Sequence, residues 1–244
     1  MNSPAQVSAL IIDVADPERL AAFRPETKLE RTWRTIGIRG TGSDTWAAND
    51  VFVPEHRVIF MERLTQGTWP APTGEAMYRL PFVPLAILSL LGPLLGIGRA
   101  ALNLVVEKMS IKGMHHTFFT RQSDSVGNQI QIAEAALKLK TARLHAYSIA
   151  DEADATAARG NAVDHGGRAE YRAACGYIAQ QVLDAVNILV NVHGAAAFET
   201  SNALQQYWRD INTGARHAGL KSFVGYEIYG KSLLGITEPI SPMI

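Results

Sequence analysis

The spacing of apolar residues divides the chain into a front part with alternating stretches and a longer back part with helical periodicity. Apolar and polar residues alternate over residues 7–14, 28–33 and 50–58, which is typical of short strands. From residue 82 onward, apolar positions recur every three or four residues, which predicts helices. Four helices are predicted, over residues 82–112, 126–159, 164–192 and 201–210.

Helices joined by short loops pack as an antiparallel bundle. We therefore expect an α+β protein with a partial antiparallel β-domain at residues 1–65 and a C-terminal antiparallel four-helix bundle at residues 82–244. Residues 66–81 are rich in Pro, Gly and Thr and are interpreted as a linker. Residues 220–229 are interpreted as a variable loop that supplies an apolar and aromatic pocket lining.

The composition excludes several classes of partner. The formal net charge is zero and no basic stripe is visible, so we expect no nucleic-acid partner. The long apolar run at residues 80–106 is broken by prolines, glycines and Arg99, so we expect a buried helix and no membrane span. Residues 1–12 lack the features of a signal peptide.

The single cysteine, Cys175, excludes an intrachain disulfide and fits a reducing cytoplasm. It lies in an Ala-rich helical run, so we interpret it as a small core residue and not as a nucleophile. His115 and His116 stand next to each other without a third ligand at a recognisable spacing, and we therefore expect no metal site.

Residues 33–58 hold the densest motif of the chain. Gly37, Gly40 and Gly42 lie between two strand candidates, and glycine allows a sharp turn or a close approach of the backbone to a ligand. Ser43 adds a short hydrogen-bonding side chain in the same turn. Taken alone, the pattern fits a hairpin without chemistry as well as a ligand-binding loop.

Two runs of residues carry a resemblance to a known family. The first is Trp33 followed by Gly-Ile-Arg-Gly-Thr-Gly-Ser at 37–43 and Asp-Val-Phe-Val-Pro at 50–54. It resembles the end of the central β-domain in the acyl-CoA dehydrogenase superfamily, in the branch of two-component flavin-dependent monooxygenases that includes para-hydroxyphenylacetate hydroxylase oxygenase components and dibenzothiophene monooxygenase. The second is Asn-Ala-Leu-Gln-Gln-Tyr-Trp-Arg-Asp at 202–210, after a small-residue turn at 193–197.

The resemblance covers residues 28–240 and implies a β-domain followed by a four-helix bundle. The family's N-terminal helical domain and the first half of its β-domain have no counterpart. We therefore expect the C-terminal part of such an enzyme, as a truncated product, as one piece of a split enzyme or as a fragment.

The resemblance also implies a function. We expect hydroxylation of an aromatic or polycyclic substrate with dioxygen and reduced FMN or FAD, supplied by a separate flavin reductase. We also expect a homo-dimer or tetramer that forms through the bundle, and a location in the cytoplasm. The substrate itself is not predicted, because part of its pocket belongs to the family segments that have no counterpart.

By the same resemblance His217 is the candidate catalytic residue, since a histidine shortly after the Arg-Asp pair lies beside the flavin ring in this branch. Imidazole suits such a place because its proton moves near neutral pH. Trp33 and Ser43 are candidates for the border of the ring. Each has a plain alternative: a structural histidine, a buried tryptophan and a turn serine.

Three further residues are candidates for binding the cofactor. The resemblance places Arg121 on a flavin phosphate, commonly across a subunit interface, which suits its planar fork of donors. From its residues alone, Arg121 is a solvated charge or a general anion site. Gly194 and Ala195 belong to the small-residue turn that lies near the flavin in the family.

Two other functions stay open. An acyl-CoA dehydrogenase needs a glutamate as general base, yet Ala218 stands at one of the family's two positions for it, and residues 77–106, which hold the other, contain no carboxylate. The resemblance therefore favours the monooxygenase. A non-catalytic assembly partner or remnant is the third alternative, because family segments have no counterpart.

Overall fold

The computed structural model describes residues 7–10, 27–52, 58–60, 74–80, 82–161, 163–241 and 244. Within these ranges it contains four short strands and six helices of eight residues or more. The strands are β1 Val7–Leu10, β2 Thr27–Glu30, β3 Thr45–Ala48 and β4 Val58–Phe60. The helices are α1 Phe82–Ser89, α2 Leu91–Met109, α3 Val126–Ala158, α4 His165–His193, α5 Ala203–Gly214 and α6 Ser222–Leu233.

The strands form two antiparallel pairs, β1 with β4 and β2 with β3. In the second pair Leu29 lies opposite Trp46. The residues between these strands, 31–44, contain the predicted glycine motif and are called the glycine loop. The prediction of a strand, a polar glycine loop and a second strand is therefore confirmed.

The position of the second strand was predicted wrongly. The alternating pattern placed it at residues 50–58, but the strand that follows the glycine loop is β3 at Thr45–Ala48. Asp50 has a φ of 50°, a left-handed conformation that aspartate adopts more readily than most residues and that ends the extended chain. Residues 53–57 lie outside the described residues.

The bundle is built around α4, which packs against α2, α3 and α6. Its inward face is wholly buried at Ile178, Val182, Val186 and Leu189. Asp164 caps its N-terminus, since its Oδ1 accepts from the Gly167 amide at 2.8 Å. The predicted antiparallel four-helix bundle after residue 81 is confirmed, and α1 and α5 pack across it.

The interpretation of residues 220–229 as a loop is wrong, because most of them belong to α6. This helix packs close to α4 at Gly225, where an added Cβ would come within 2.9 Å of Ala173 Cα. The glycine therefore serves close helix packing. Phe223 and Tyr226 are exposed on this helix.

In the described part of the chain, two helical stretches, Phe82–Met109 and His165–His193, reach the length and apolar composition of a membrane span. The most apolar 18 residues of the second are 61% buried inside the bundle, which is the burial expected of a core helix. Those of the first are 28% buried, and the stretch changes from α1 to α2 at Leu90, so the expectation of a buried helix at residues 80–106 is wrong.

Several predictions fall partly outside the described residues. Residues 11–14 of the first predicted strand and residues 66–73 of the predicted linker lie there. The described end of that linker contains a 3-10 turn at Ala76–Arg79. The division into segments 1–65, 66–81 and 82–244 stays a prediction.

Candidate active site

The glycine loop is held in a fixed shape by its own side chains. Trp33 Nε1 donates to the Ile38 carbonyl at 2.9 Å, and the Trp33 amide donates to Asp44 Oδ1 at 2.8 Å. This backbone bond, helped by Arg31, holds the pKa of the Asp44 carboxyl below its usual value. Ile38 has a φ of 50°, which is strained for a β-branched residue, while Gly42 takes a similar φ without strain.

Helix α5 is hydrogen-bonded to this loop through the Arg-Asp pair, Arg209 and Asp210. Arg209 Nη1 donates to the Ile36 carbonyl at 2.7 Å, and Asp210 Oδ1 accepts from the Ile38 amide at 2.6 Å. Gly37 lies between these two contacts, and a Cβ on it would collide with the Arg209 carbonyl oxygen. The pair is therefore not a simple surface ion pair, because each member binds the backbone of the loop.

A cleft of about 590 Å³ opens beside this junction, between the glycine loop, α2 and α5. Its lining includes Ile36, Ile38, Gly40, Leu94, Ile97 and Arg209. The lining also includes the polar side chains of Arg39, Thr41, Gln206 and Asp210. A concave site that combines apolar and polar groups is typical of a small-molecule or cofactor site. Trp33, Ser43 and His217 are not among its lining residues.

The two ring-border candidates have roles inside the loop. The indole nitrogen and the amide of Trp33 are both used to brace it, so only the apolar ring is available to a ligand. Ser43 is exposed, and its Oγ lies 3.1 Å from Thr41 Oγ1.

His217 stands one turn beyond the end of α5. Its amide donates to the Gly214 carbonyl at 3.0 Å, and Gly214 itself packs against Ile38 of the glycine loop. The imidazole is exposed, and its Nδ1 accepts from the Gly219 amide at 3.0 Å. In the neutral ring the proton is therefore on Nε2, which is free to donate outward.

A second polar cluster forms at the C-terminus of α4, where Lys112 and Gln122 bind the last carbonyls of the helix. Lys112 Nζ donates to the His193 carbonyl at 2.5 Å, and Gln122 Nε2 donates to the Val192 carbonyl at 3.2 Å. Carbonyls at a helix C-terminus lack partners within the helix, and a cation suits them. Asn202 completes the cluster through its contact with His193 Nε2 at 3.0 Å.

Gly194 and Ala195 sit in this second cluster. Gly194 has a φ of 79° and ends α4, and Ala195 opens a 3-10 turn at Ala195–Phe198 with its side chain exposed. Asn202 Nδ2 fixes the turn by donating to the Ala196 carbonyl at 2.9 Å. These backbone groups are thus presented by a rigid turn.

Arg121 directly precedes Gln122 and therefore lies at the edge of the second cluster. Its guanidinium faces Asp124, with Nε to Oδ2 at 3.1 Å and Nη2 to Oδ1 at 3.0 Å. The arginine side chain is 60% exposed. An exposed pair of this kind contributes little stability, so a phosphate can compete for the guanidinium at low cost.

Two buried polar atoms of the second cluster have no hydrogen-bond partner among the described residues: Gln122 Oε1 and His193 Nδ1. With His193 Nε2 accepting from Asn202, Nδ1 carries the proton, so one orphan is an acceptor and the other a donor. Burial, together with the neighbouring Lys112, lowers the pKa of His193. Unpaired buried polar atoms of this kind indicate a place where a ligand group or a water supplies the hydrogen bond.

Other candidates carry no site. In the part of the chain that the structure describes, no three His, Cys, Asp or Glu side chains are grouped to hold a metal ion. Cys175 is fully buried, and burial raises the pKa of its thiol to about 12, as expected of a core residue. Among the described residues, the one carboxylate lining the cleft, that of Asp210, accepts the Ile38 amide hydrogen.

Sequence reasoning missed Arg172, which lies on α4 and is 5% exposed. Its guanidinium donates to the carbonyls of Ala218 and Gly219, in the turn that follows His217. An arginine in an Ala-rich helical run gives no signal of this contact, because the partner is backbone 46 residues away.

Known proteins resemble this chain in sequence and in structure. The oxygenase subunit HsaA of a flavin-dependent monooxygenase from Rhodococcus jostii (strain RHA1) is 26% identical over 216 residues, covering 87% of this chain and 56% of HsaA. The oxygenase component of the FADH2-dependent resorcinol hydroxylase from Rhizobium sp. (strain MTP-10005) is 28% identical over 225 residues, covering 86% of this chain and 54% of that protein.

Among solved structures, XiaF from Streptomyces sp. in complex with FADH2 and glycerol is 37% identical with a TM-score of 0.84. The similarity covers 90% of this chain and 56% of XiaF. The chain thus spans little more than half the length of the relatives it matches. Residues 88–222 match the family described as "Acyl-CoA dehydrogenase, C-terminal domain". This match covers more than half of the sequence, and the chain therefore belongs to the acyl-CoA dehydrogenase family.

Proposed function

We propose that this chain is the C-terminal part of the oxygenase component of a two-component flavin-dependent monooxygenase. It would hydroxylate an aromatic or polycyclic substrate with dioxygen and reduced FMN or FAD, delivered by a separate reductase in the cytoplasm. The observation that carries the proposal is the junction of the glycine loop with α5, which forms a cleft, with the exposed imidazole of His217 following the end of the same helix. The two relatives named above are oxygenase components of flavin-dependent enzymes.

The glycine loop and α5 supply the ring side of the site. When bound, the reduced flavin supplies the two electrons with which dioxygen is divided between the hydroxylated product and water. The apolar side chains of the cleft, Ile36, Ile38 and Ile97, would contact the ring, and Trp33 braces the loop through its indole nitrogen. His217 holds a proton on Nε2 and presents it as a hydrogen-bond donor.

The second cluster supplies the phosphate side. Arg121 offers its guanidinium, and the turn at Gly194 and Ala195 offers backbone groups beside two unpartnered buried atoms. α5 runs from this cluster to the glycine loop and is about 18 Å long at 1.5 Å per residue. We propose that, in the oligomer, the phosphate side of one subunit completes the ring side of its neighbour.

Replacing Arg121 by glutamine tests the phosphate role. We expect the dissociation constant for reduced flavin to rise about tenfold, as expected for the loss of a charge-assisted bond worth about 1.5 kcal/mol. Replacing Asp124 by asparagine frees the same guanidinium, so this variant should bind as tightly as the native chain or more tightly. Equal affinity of the Arg121→Gln variant and the native chain in anaerobic calorimetry would refute the role.

A homo-oligomer requires an uncovered face, and α3 has one. Five apolar residues on this helix are more than half exposed. Their spacings of four, seven, seven and three residues put them on one side of the helix, as in a coiled-coil seam. They are Val126, Ile130, Leu137, Leu144 and Tyr147. We propose that a second copy of the chain covers this stripe.

The double change of Leu137 and Leu144 to glutamate should dissociate that oligomer. Each leucine contributes roughly 2 kcal/mol when it is covered, so the dissociation constant should rise about 100-fold or more. Sedimentation velocity measures the change. Ile111→Glu, on an exposed loop residue outside the stripe, should leave the native state of association unchanged. A double variant that associates as the native chain does would contradict the proposal.

The dehydrogenase alternative has less support. Ala218 stands where the family's glutamate base is expected, and in the part of the chain that the structure describes the only carboxylate lining the cleft accepts from a backbone amide. Anaerobic reduction of bound flavin by an acyl-CoA would restore this alternative. A non-catalytic assembly partner would bind neither reduced FMN nor reduced FAD. Titration of each reduced flavin into the chain therefore separates this alternative from the oxygenase.

A further inference from the structure

We infer that Arg172 is the positioning residue for His217 and acts through the single peptide unit between Ala218 and Gly219. The carbonyl of this peptide accepts from Arg172 Nη2 at 2.7 Å, and its N–H donates to His217 Nδ1 at 3.0 Å. Guanidinium, peptide and imidazole thus form one hydrogen-bonded chain. The meaning of this chain for catalysis rests on the proposed function, whereas its existence does not.

The surroundings of Arg172 support a positioning role. The residue is 5% exposed, and no carboxylate pairs with it in the described part of the chain. Burying a cation without an acidic partner is costly unless its donors are satisfied. The carbonyls of Ala218 and Gly219 provide these acceptors, and the planar fork of arginine matches two adjacent carbonyls better than a lysine amine does.

The peptide between Ala218 and Gly219 is also held from its other sides. An added Cβ on Gly219 would lie 3.1 Å from Ile87 Cγ1, so the turn rests against α1. The Leu220 amide donates to the His217 carbonyl at 2.8 Å, which closes the turn. The peptide therefore has little freedom to rotate while Arg172 holds its oxygen.

This arrangement fixes the imidazole in a defined state. A cation on the carbonyl polarises the peptide and strengthens its N–H as a donor. With Nδ1 accepting that hydrogen, the neutral ring keeps its proton on Nε2, the nitrogen that points away from the turn. Arg172 thus selects both the tautomer and the direction of the one donor that the exposed ring offers.

The test compares Arg172→Lys with Arg168→Lys in the full chain, using nitrogen NMR on histidine-labelled protein. Arg168 is a matched control because it lies one turn earlier on α4 and donates to a backbone carbonyl, that of Val163, at 2.8 Å. A His217→Asn variant assigns the His217 signals. Amide exchange at Gly219 is recorded on the same samples.

In the native chain we expect His217 to be protonated at Nε2 in its neutral form and the Gly219 amide to be protected. Arg172→Lys should accelerate Gly219 exchange about fivefold or more, which corresponds to the loss of one ordinary hydrogen bond, and should move the Nδ1 signal toward the tautomer average. Arg168→Lys should change neither. A native His217 signal in Arg172→Lys, or the same change in both variants, overturns the inference.

If Arg172→Lys does not fold, the guanidinium proton signals of Arg172 in the native chain test the inference. A guanidinium held by two carbonyls rotates slowly, so its Nη protons should give separate signals, and one averaged signal for Arg172 would overturn the inference. None of these readouts uses flavin. A failure of reduced flavin to bind would therefore refute the proposed function and leave the positioning result unaffected.

Discussion

Replacing Gly37 by alanine is expected to separate the glycine loop from α5 and to abolish flavin binding at the cleft. The new methyl group would collide with the Arg209 carbonyl oxygen, a backbone atom inside a helix that cannot move aside. The loop must move instead, and it loses the bonds of Arg209 to Ile36 and of Asp210 to Ile38. Each is a bond to a charged group and contributes about 1.5–3 kcal/mol.

We therefore expect the affinity for reduced flavin to fall at least about 100-fold and exchange of the Ile38 amide to accelerate by a similar factor. Gly230→Ala on α6, outside the cleft, is the control, because nothing in the described part of the chain lies within 4 Å of its added Cβ and its φ is outside the left-handed range. That variant should behave as the native chain. If Gly37→Ala binds flavin normally, the junction between loop and helix is not part of the site.

Replacing His217 by asparagine is expected to uncouple the reaction. The imidazole presents a proton at Nε2, and a positioned acid or base of this kind typically contributes 10²–10⁴-fold to a rate. Asparagine fills part of the space but does not titrate near neutral pH. We expect dioxygen mixed with the reduced-flavin complex to appear as hydrogen peroxide about 100-fold faster or more than in the native chain.

Peroxide release needs no knowledge of the substrate, which makes this measurement direct. His145→Asn is the control, since that imidazole lies on α3 and packs edge-on against Tyr177 at 5.2 Å between ring centroids. It should leave peroxide release unchanged. Equal release rates in the His217 variant and the native chain would remove His217 from the reaction.

Apolar periodicity predicted the long helices well, because the buried side of a long helix recurs every three or four residues over many turns. α3 and α4 are 33 and 29 residues long, and their predicted ends differ from the observed ones by at most one residue. α6 was missed, because residues 220–229 were interpreted as a variable loop. The close contact of this helix with α4 at Gly225 shows only in the packed structure.

The candidate site was predicted in part, and the limits have a physical origin. The motifs pointed to the glycine loop and to Arg209 and Asp210 as separate features, and the structure joins them through backbone bonds. Any residue type can supply the backbone partner of such a bond, so the sequence does not indicate it. The same holds for Arg172, whose acceptors are main-chain carbonyls of the turn after His217.

Anaerobic titration of reduced FMN and reduced FAD into the native chain, followed by calorimetry and amide NMR, tests the central claim most directly. The proposal predicts binding of one of the two, with signal changes at Ile38 and Arg209 on the ring side and at Gly194 and Arg121 on the phosphate side. If neither reduced flavin binds, or if the changes lie elsewhere on the bundle, the proposed oxygenase site of this chain is wrong.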